Sequence, residues 1–150
     1  MKSLNSARSW LTARLPVFVF VLFVLQPVLD CVSFWFTELE WSNLPTLAVR
    51  MGLLAVTALL GFCLSGRKWI YWTAAAVCAA IGAGHLYALY DYGVVADLFG
   101  DLTNYIRILQ LPVTVLCLIT FLRENERCYE SMKWGMVVSV ALIVLVEVLS

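Results

Sequence analysis

The sequence predicts an all-α integral membrane bundle of about five transmembrane helices, with its N-terminus inside. Hydrophobic residues make up 63% of the chain and charged residues only 13%, which lies outside the range of soluble domains. The apolar residues gather in five stretches, each close to the roughly 20 residues that a helix needs to cross a bilayer core. The connections between these stretches alternate in charge, and short loops rich in Lys and Arg stay on the cytoplasmic side.

The flank before the first span, Leu15 to Phe36, carries Lys2, Arg8 and Arg14 without an acid. The connection that follows carries Glu38 and Glu40 without a base, and the second span runs from Leu44 to Leu64. Arg67 and Lys68 precede the third span, Trp69 to Tyr90; Asp91, Asp97 and Asp101 precede the fourth, Leu102 to Leu122. The last connection is mixed, Arg123, Arg127 and Lys133 standing against Glu124, Glu126 and Glu130, and leads into the fifth span, Lys133 to Leu149. Helix is required because backbone groups in lipid must pair within their own segment, and the alternation of a barrel strand is missing. Trp10, Trp69, Trp72 and Trp134 fall at inner edges and Trp35 and Trp41 at an outer edge, where amphipathic rings settle.

The connections are too short for a folded domain, so residues 1–150 read as a single transmembrane domain. The fifth span stops just after Glu147 with no polar tail, which predicts the N-terminal part of a longer polytopic protein rather than a complete five-span one. The apolar run from Leu15 to Leu29 is long for a signal peptide and lacks a small-residue cleavage site, so it reads as an uncleaved anchor. Asp30 directly before Cys31 argues against a lipoprotein site. Cys31, Cys63, Cys78, Cys117 and Cys128 lack metal or disulfide spacing and read as small packing residues. No metal, cofactor or nucleic acid is expected, and no catalytic motif is found.

Polar groups within spans are costly and so mark function or specific pairing. Gln26, Asp30, Ser33 and Thr37 share one face of the first helix; Asn43, Thr46, Arg50 and Thr57 share one of the second; Thr103, Arg107, Gln110 and Thr114 share one of the fourth. His85 lies near the outer end of the third span and Glu147 near that of the fifth. Three readings stay open. Asp30 pairs with Arg50 or Arg107 and holds helices in register; or the two arginines bind the anionic head of a lipid or lipid-linked substrate, for which the guanidinium fork suits phosphate; or Asp30 and His85 titrate along an ion or proton path. Pro27 and Pro112 each remove a backbone hydrogen bond one turn from these residues, opening a cavity or merely kinking the helix. In the third span Ala75, Ala79, Ala80, Ala83 and Gly84 form small-residue rows suited to a helix partner.

The string Gln26-Pro27-Val28-Leu29-Asp30, Arg50 opening the second span, His85 closing the third, and Tyr105-Ile106-Arg107-Ile108-Leu109-Gln110-Leu111-Pro112 followed by Phe121-Leu122-Arg123 together resemble the opening spans of the O-antigen ligase and polymerase family. The likeness is to its Gram-positive-type members and runs from about residue 15 to the end. It implies a bacterial cytoplasmic-membrane protein of surface-polysaccharide biosynthesis. Such proteins are metal-free inverting glycosyltransferases acting on polyprenyl-pyrophosphate-linked glycans at the outer face. The family's catalytic arginine and histidine belong to a large external loop and later spans that this sequence lacks, so no catalytic residue carries over. Gln26, Asp30, Arg50, His85, Arg107 and Gln110 are left as candidate substrate-binding residues. The alternative is a small non-enzymatic accessory protein or transporter subunit.

Overall fold

The computed structural model describes residues 2–39, 41, 44–91 and 98–149, with side chains for 8–39, 41, 44–91, 104–106 and 108–148. Glu40, Asn43, Tyr92 and Asp97 lie outside the described residues, as do the side chains of Lys2, Asp101, Thr103 and Arg107. Five α-helices account for the described chain: α1 (Lys2–Glu38), α2 (Leu44–Leu64), α3 (Lys68–Asp91), α4 (Leu98–Glu124) and α5 (Arg127–Leu149). Each is long and apolar enough to cross a membrane. The bounds of α2 match the sequence reading, whereas α1, α4 and α5 run on beyond their apolar stretches into charged flanks. The flank Arg127–Met132 of α5, for example, contains no Gly or Pro, so helix continues through it up to the turn at Asn125.

The tight turns lie at the end where Arg67, Lys68, Arg123 and Arg127 gather, which we call the basic end. Ser65 Oγ accepts the Arg67 N–H at 3.1 Å ahead of α3, and Asn125 Oδ1 accepts the Arg127 N–H at 3.0 Å ahead of α5. The first holds the turn that leads into α3, and the second caps an otherwise unpaired helical donor in the first turn of α5. At the opposite, acidic end, Pro45 sits in the first turn of α2, where its missing N–H costs nothing.

Helix α1 packs chiefly on α5, and α2 chiefly on α4. The buried cluster of Leu15, Val19, Leu64, Cys117, Phe121 and Cys128 lies towards the basic end, where α1, α2, α4 and α5 meet. All five cysteines are free, and Cys117 and Cys128 fill core positions. Arg8, on the helical extension ahead of the first apolar stretch, donates to both carboxylate oxygens of Glu124 at 3.0 Å and to the carbonyl of Leu64, the last residue of α2, at 3.3 Å.

Two prolines in α1 explain two of its attachments. A proline leaves the carbonyl four residues earlier without its helical donor. For Pro16 that carbonyl is Thr12, and it accepts from Asn125 Nδ2 at 2.9 Å. For Pro27 it is Phe23, and Ser139 Oγ on α5 lies 2.7 Å away, its proton shared with the Gly135 carbonyl at the same distance. Asn125 thus caps α5 with its oxygen and fills the gap left by Pro16 with its nitrogen. Asn125→Asp keeps the first bond and loses the second, and is expected to lower stability by about 1 kcal/mol, against about 2 kcal/mol for Asn125→Ala. Thermal unfolding in detergent of the three proteins checks the ranking.

No residue of α3 is buried. Its small-residue row is not what holds it to the bundle, since Ala75, Ala79, Ala80, Ala83 and Gly84 are all exposed. Aromatic residues do this instead. The Tyr105 hydroxyl donates to the Cys78 carbonyl and lies where a Cβ on Gly82 would come within 2.8 Å of it. Tyr71 Oη is 2.7 Å from Thr120 Oγ1 and occupies the space above Gly61. Large phenols reach across a gap that alanines are too short to close.

Candidate functional site: a polar cavity around Arg50

Helical periodicity places Gln26, Asp30 and Ser33 on the face of α1 turned to α2, and the packing of α2 on α4 carries Arg50 to Gln110 and Thr114. A cavity of about 340 Å³ opens between the three helices, lined by Leu22, Phe23, Gln26, Asp30, Arg50, Gln110, Leu111 and Thr114. Its volume is at the lower end of small-molecule sites, enough for a compact head group. Pro27 is buried beside it, and Pro112 is exposed just beyond Leu111.

The electrostatics centre on one ion pair. Arg50 Nη2 donates to Asp30 Oδ1 at 2.6 Å and lies 3.4 Å from Ser33 Oγ. The two partners are placed unequally: the Arg50 side chain is 10% exposed and that of Asp30 67%. The cation is therefore fixed inside the bundle, with the anion at the rim. Among the described residues, Arg50 Nε is buried without a hydrogen-bond partner. A guanidinium has five N–H donors, and a buried donor left unpaired costs free energy, so the carboxylate only partly satisfies this arginine.

Gln26, Asp30, Arg50 and Gln110, four of the six residues singled out from the sequence, thus line one cavity. Arg107 sits on α4 one turn ahead of Gln110, its side chain outside the described residues. His85 does not join them: its ring stacks on Tyr105 at 6.4 Å with planes 12° apart, between α3 and α4. His85 is not among the residues that line the Arg50 cavity, to which Asp30 belongs. Glu147 is exposed on α5. In the polar stripes, Thr57 is fully buried and donates to Leu53 O at 2.7 Å, a bond within its own helix. Thr114 is the polar lining residue that the candidate set omitted, although its spacing of four from Gln110 gave the signal.

No protein-family model, curated protein or solved structure matches this chain. Its function is therefore argued from the cavity and from the residue pattern.

Proposed function

We propose that this chain is a multi-pass protein of the bacterial cytoplasmic membrane, N-terminus inside, whose Arg50 cavity holds the pyrophosphate of a polyprenyl-linked glycan near the outer face. On this reading it is the donor-side scaffold of a ligase or polymerase of the O-antigen type. The observation that carries the reading is the buried, incompletely paired Arg50 at a cavity walled by two glutamines and a threonine. Such a wall offers hydrogen bonds to phosphoryl oxygens and sugar hydroxyls without adding charge, while the guanidinium supplies the bidentate fork. Asp30, Gln26 and Gln110 belong to the strings that resemble the family, which adds support. On this reading the residues at the cavity bind the donor.

Placement in a bilayer is supported by the outer surface. Val137, Val140, Ile143 and Val144 of α5 and Val77, Ile81 and Leu86 of α3 are exposed apolar residues, and all six tryptophans are exposed. In water such a surface would drive aggregation; in lipid it is solvated. The loop charges support the orientation. With the native cysteines replaced, a single cysteine at Asp97 is expected to react with an impermeant thiol reagent in intact cells and one at Lys68 only after lysis; equal labelling contradicts the orientation.

The binding reading is tested by retention of polyprenyl pyrophosphate against uncharged polyprenol on the purified protein, followed by native mass spectrometry. The pyrophosphate is expected to be held more strongly, and Arg50→Lys to weaken it despite keeping the charge, because an ammonium cannot reproduce the fork. Indifference to the pyrophosphate would return Arg50 to a structural role and favour a non-enzymatic accessory protein.

A further inference from the structure

We infer that Asp30 is a built-in competitor for the anion site: its carboxylate occupies one prong of the Arg50 fork and is displaced when a phosphate head group enters. This rests on the proposed binding of a polyprenyl pyrophosphate at Arg50.

The argument starts from the shape of the pair. The edge of a guanidinium that grips an oxyanion with two parallel bonds is formed by Nε and Nη2. Asp30 holds Nη2 through a single oxygen at 2.6 Å, and Nε on the same edge is buried with no partner among the described residues. The resting pair is therefore a half-made version of the bond that a phosphate makes in full. The exposures decide which partner yields. Arg50 is nine-tenths buried and anchored in α2, whereas Asp30 is two-thirds exposed at the rim. A head group carrying two or more anionic oxygens gains both prongs, and the released carboxylate is left at the rim of a cavity whose lining includes the polar side chains of Gln26, Gln110 and Thr114. Neutral lipids lack the charge to displace it, so the empty site keeps its arginine compensated and selects for a multiply charged head group by competition.

This assigns Asp30 a role opposite to that of a substrate ligand. A residue that positioned Arg50 for the phosphate would weaken binding when neutralised. A competitor strengthens it, because the apparent affinity is lowered by the fraction of time the site is closed.

The test uses the full chain in lipid nanodiscs, with polyprenyl pyrophosphate as the probe and polyprenol as the control. Asp30→Asn is expected to bind the pyrophosphate roughly tenfold more tightly than the parent, as for a pair closed about nine-tenths of the time. Returning a carboxylate one turn along α1, in Asp30→Asn with Ser33→Asp, is expected to restore the parental affinity, since Ser33 Oγ already lies 3.4 Å from Arg50 Nη2. If Asp30→Asn alone does not fold, the parent still decides: adding the lipid is expected to change the carboxylate stretching bands in the infrared difference spectrum, and an unchanged spectrum with lipid bound overturns the competition. Equal or weaker binding by Asp30→Asn while the parent retains the lipid overturns the competition and leaves the binding reading in place. No preference for the pyrophosphate in any of the variants overturns both.

Discussion

Asp30→Asn is expected to lower the stability of the folded bundle by about 2–3 kcal/mol, and Arg50→Gln by only about 1 kcal/mol, although each change removes the same ion pair. Stranding one partner of a fully buried pair costs roughly 3–5 kcal/mol. The figure is smaller here because Asp30 is 67% exposed, and it is unequal because Arg50 is the buried partner. Losing the acid leaves an uncompensated cation within the bundle; losing the arginine leaves an acid at the rim of a cavity whose lining includes Gln26, Gln110 and Thr114. The double change Asp30→Asn with Arg50→Gln is therefore expected to be more stable than Asp30→Asn alone, with a coupling of about 1–2 kcal/mol. Unfolding in mixed detergent of the four proteins gives the cycle. Additive losses would show that the pair contributes no interaction of its own. Combined with tighter pyrophosphate binding by Asp30→Asn, the result has opposite signs on stability and on affinity, which a purely structural acid does not produce.

The second large effect concerns the contact between α1 and α5. A Cβ on Gly135 would lie 2.8 Å from Phe23 Cβ and 3.4 Å from the Phe20 carbonyl. Neither is the far end of a flexible side chain, so relief requires the helices to move apart, and the Ser139 link to the Phe23 carbonyl would be stretched as well. Gly135→Leu is expected to cost about 3 kcal/mol, at the upper end of overpacking changes. Gly84→Ala is the contrast. Nothing lies within 4 Å of its added Cβ, so replacing a mid-helix glycine there is expected to be neutral or to stabilise by up to about 1 kcal/mol. Thermal unfolding of the two variants beside the parent separates a helix contact from an open face.

The five long apolar helices were legible because a stretch of some 20 apolar residues has few alternatives, and the polar stripes were legible because a spacing of three or four puts residues on one face. That is why Gln26, Asp30, Arg50 and Gln110 could be gathered as candidates from three separate helices. Which arginine Asp30 meets was not legible. Arg50 and Arg107 sit on helices that can each neighbour α1, and only the packing makes Arg50 the partner of Asp30 at 2.6 Å. His85 was grouped with them on its depth and on the family resemblance, and neither says anything of direction around the bundle axis; its place against Tyr105 belongs to the attachment of α3. The row of small residues in α3 pointed to close packing, yet the close approach occurs at Gly82, under an aromatic ring from α4. Pro16 and Pro27 free the carbonyls of Thr12 and Phe23, and the donors that fill them, more than a hundred residues along the chain at Asn125 and Ser139, were not legible.

The most direct test of the Arg50 site is to locate the ligand. A polyprenyl pyrophosphate carrying a photoreactive group next to its phosphates, irradiated with the protein in nanodiscs and mapped by peptide mass spectrometry, is predicted to label the segments around Gln26–Asp30, Arg50 and Gln110–Thr114, with labelling lost in Arg50→Gln. Adducts spread over the exposed faces of α3 and α5, unaffected by Arg50→Gln and matched by a photoreactive polyprenol, would contradict it.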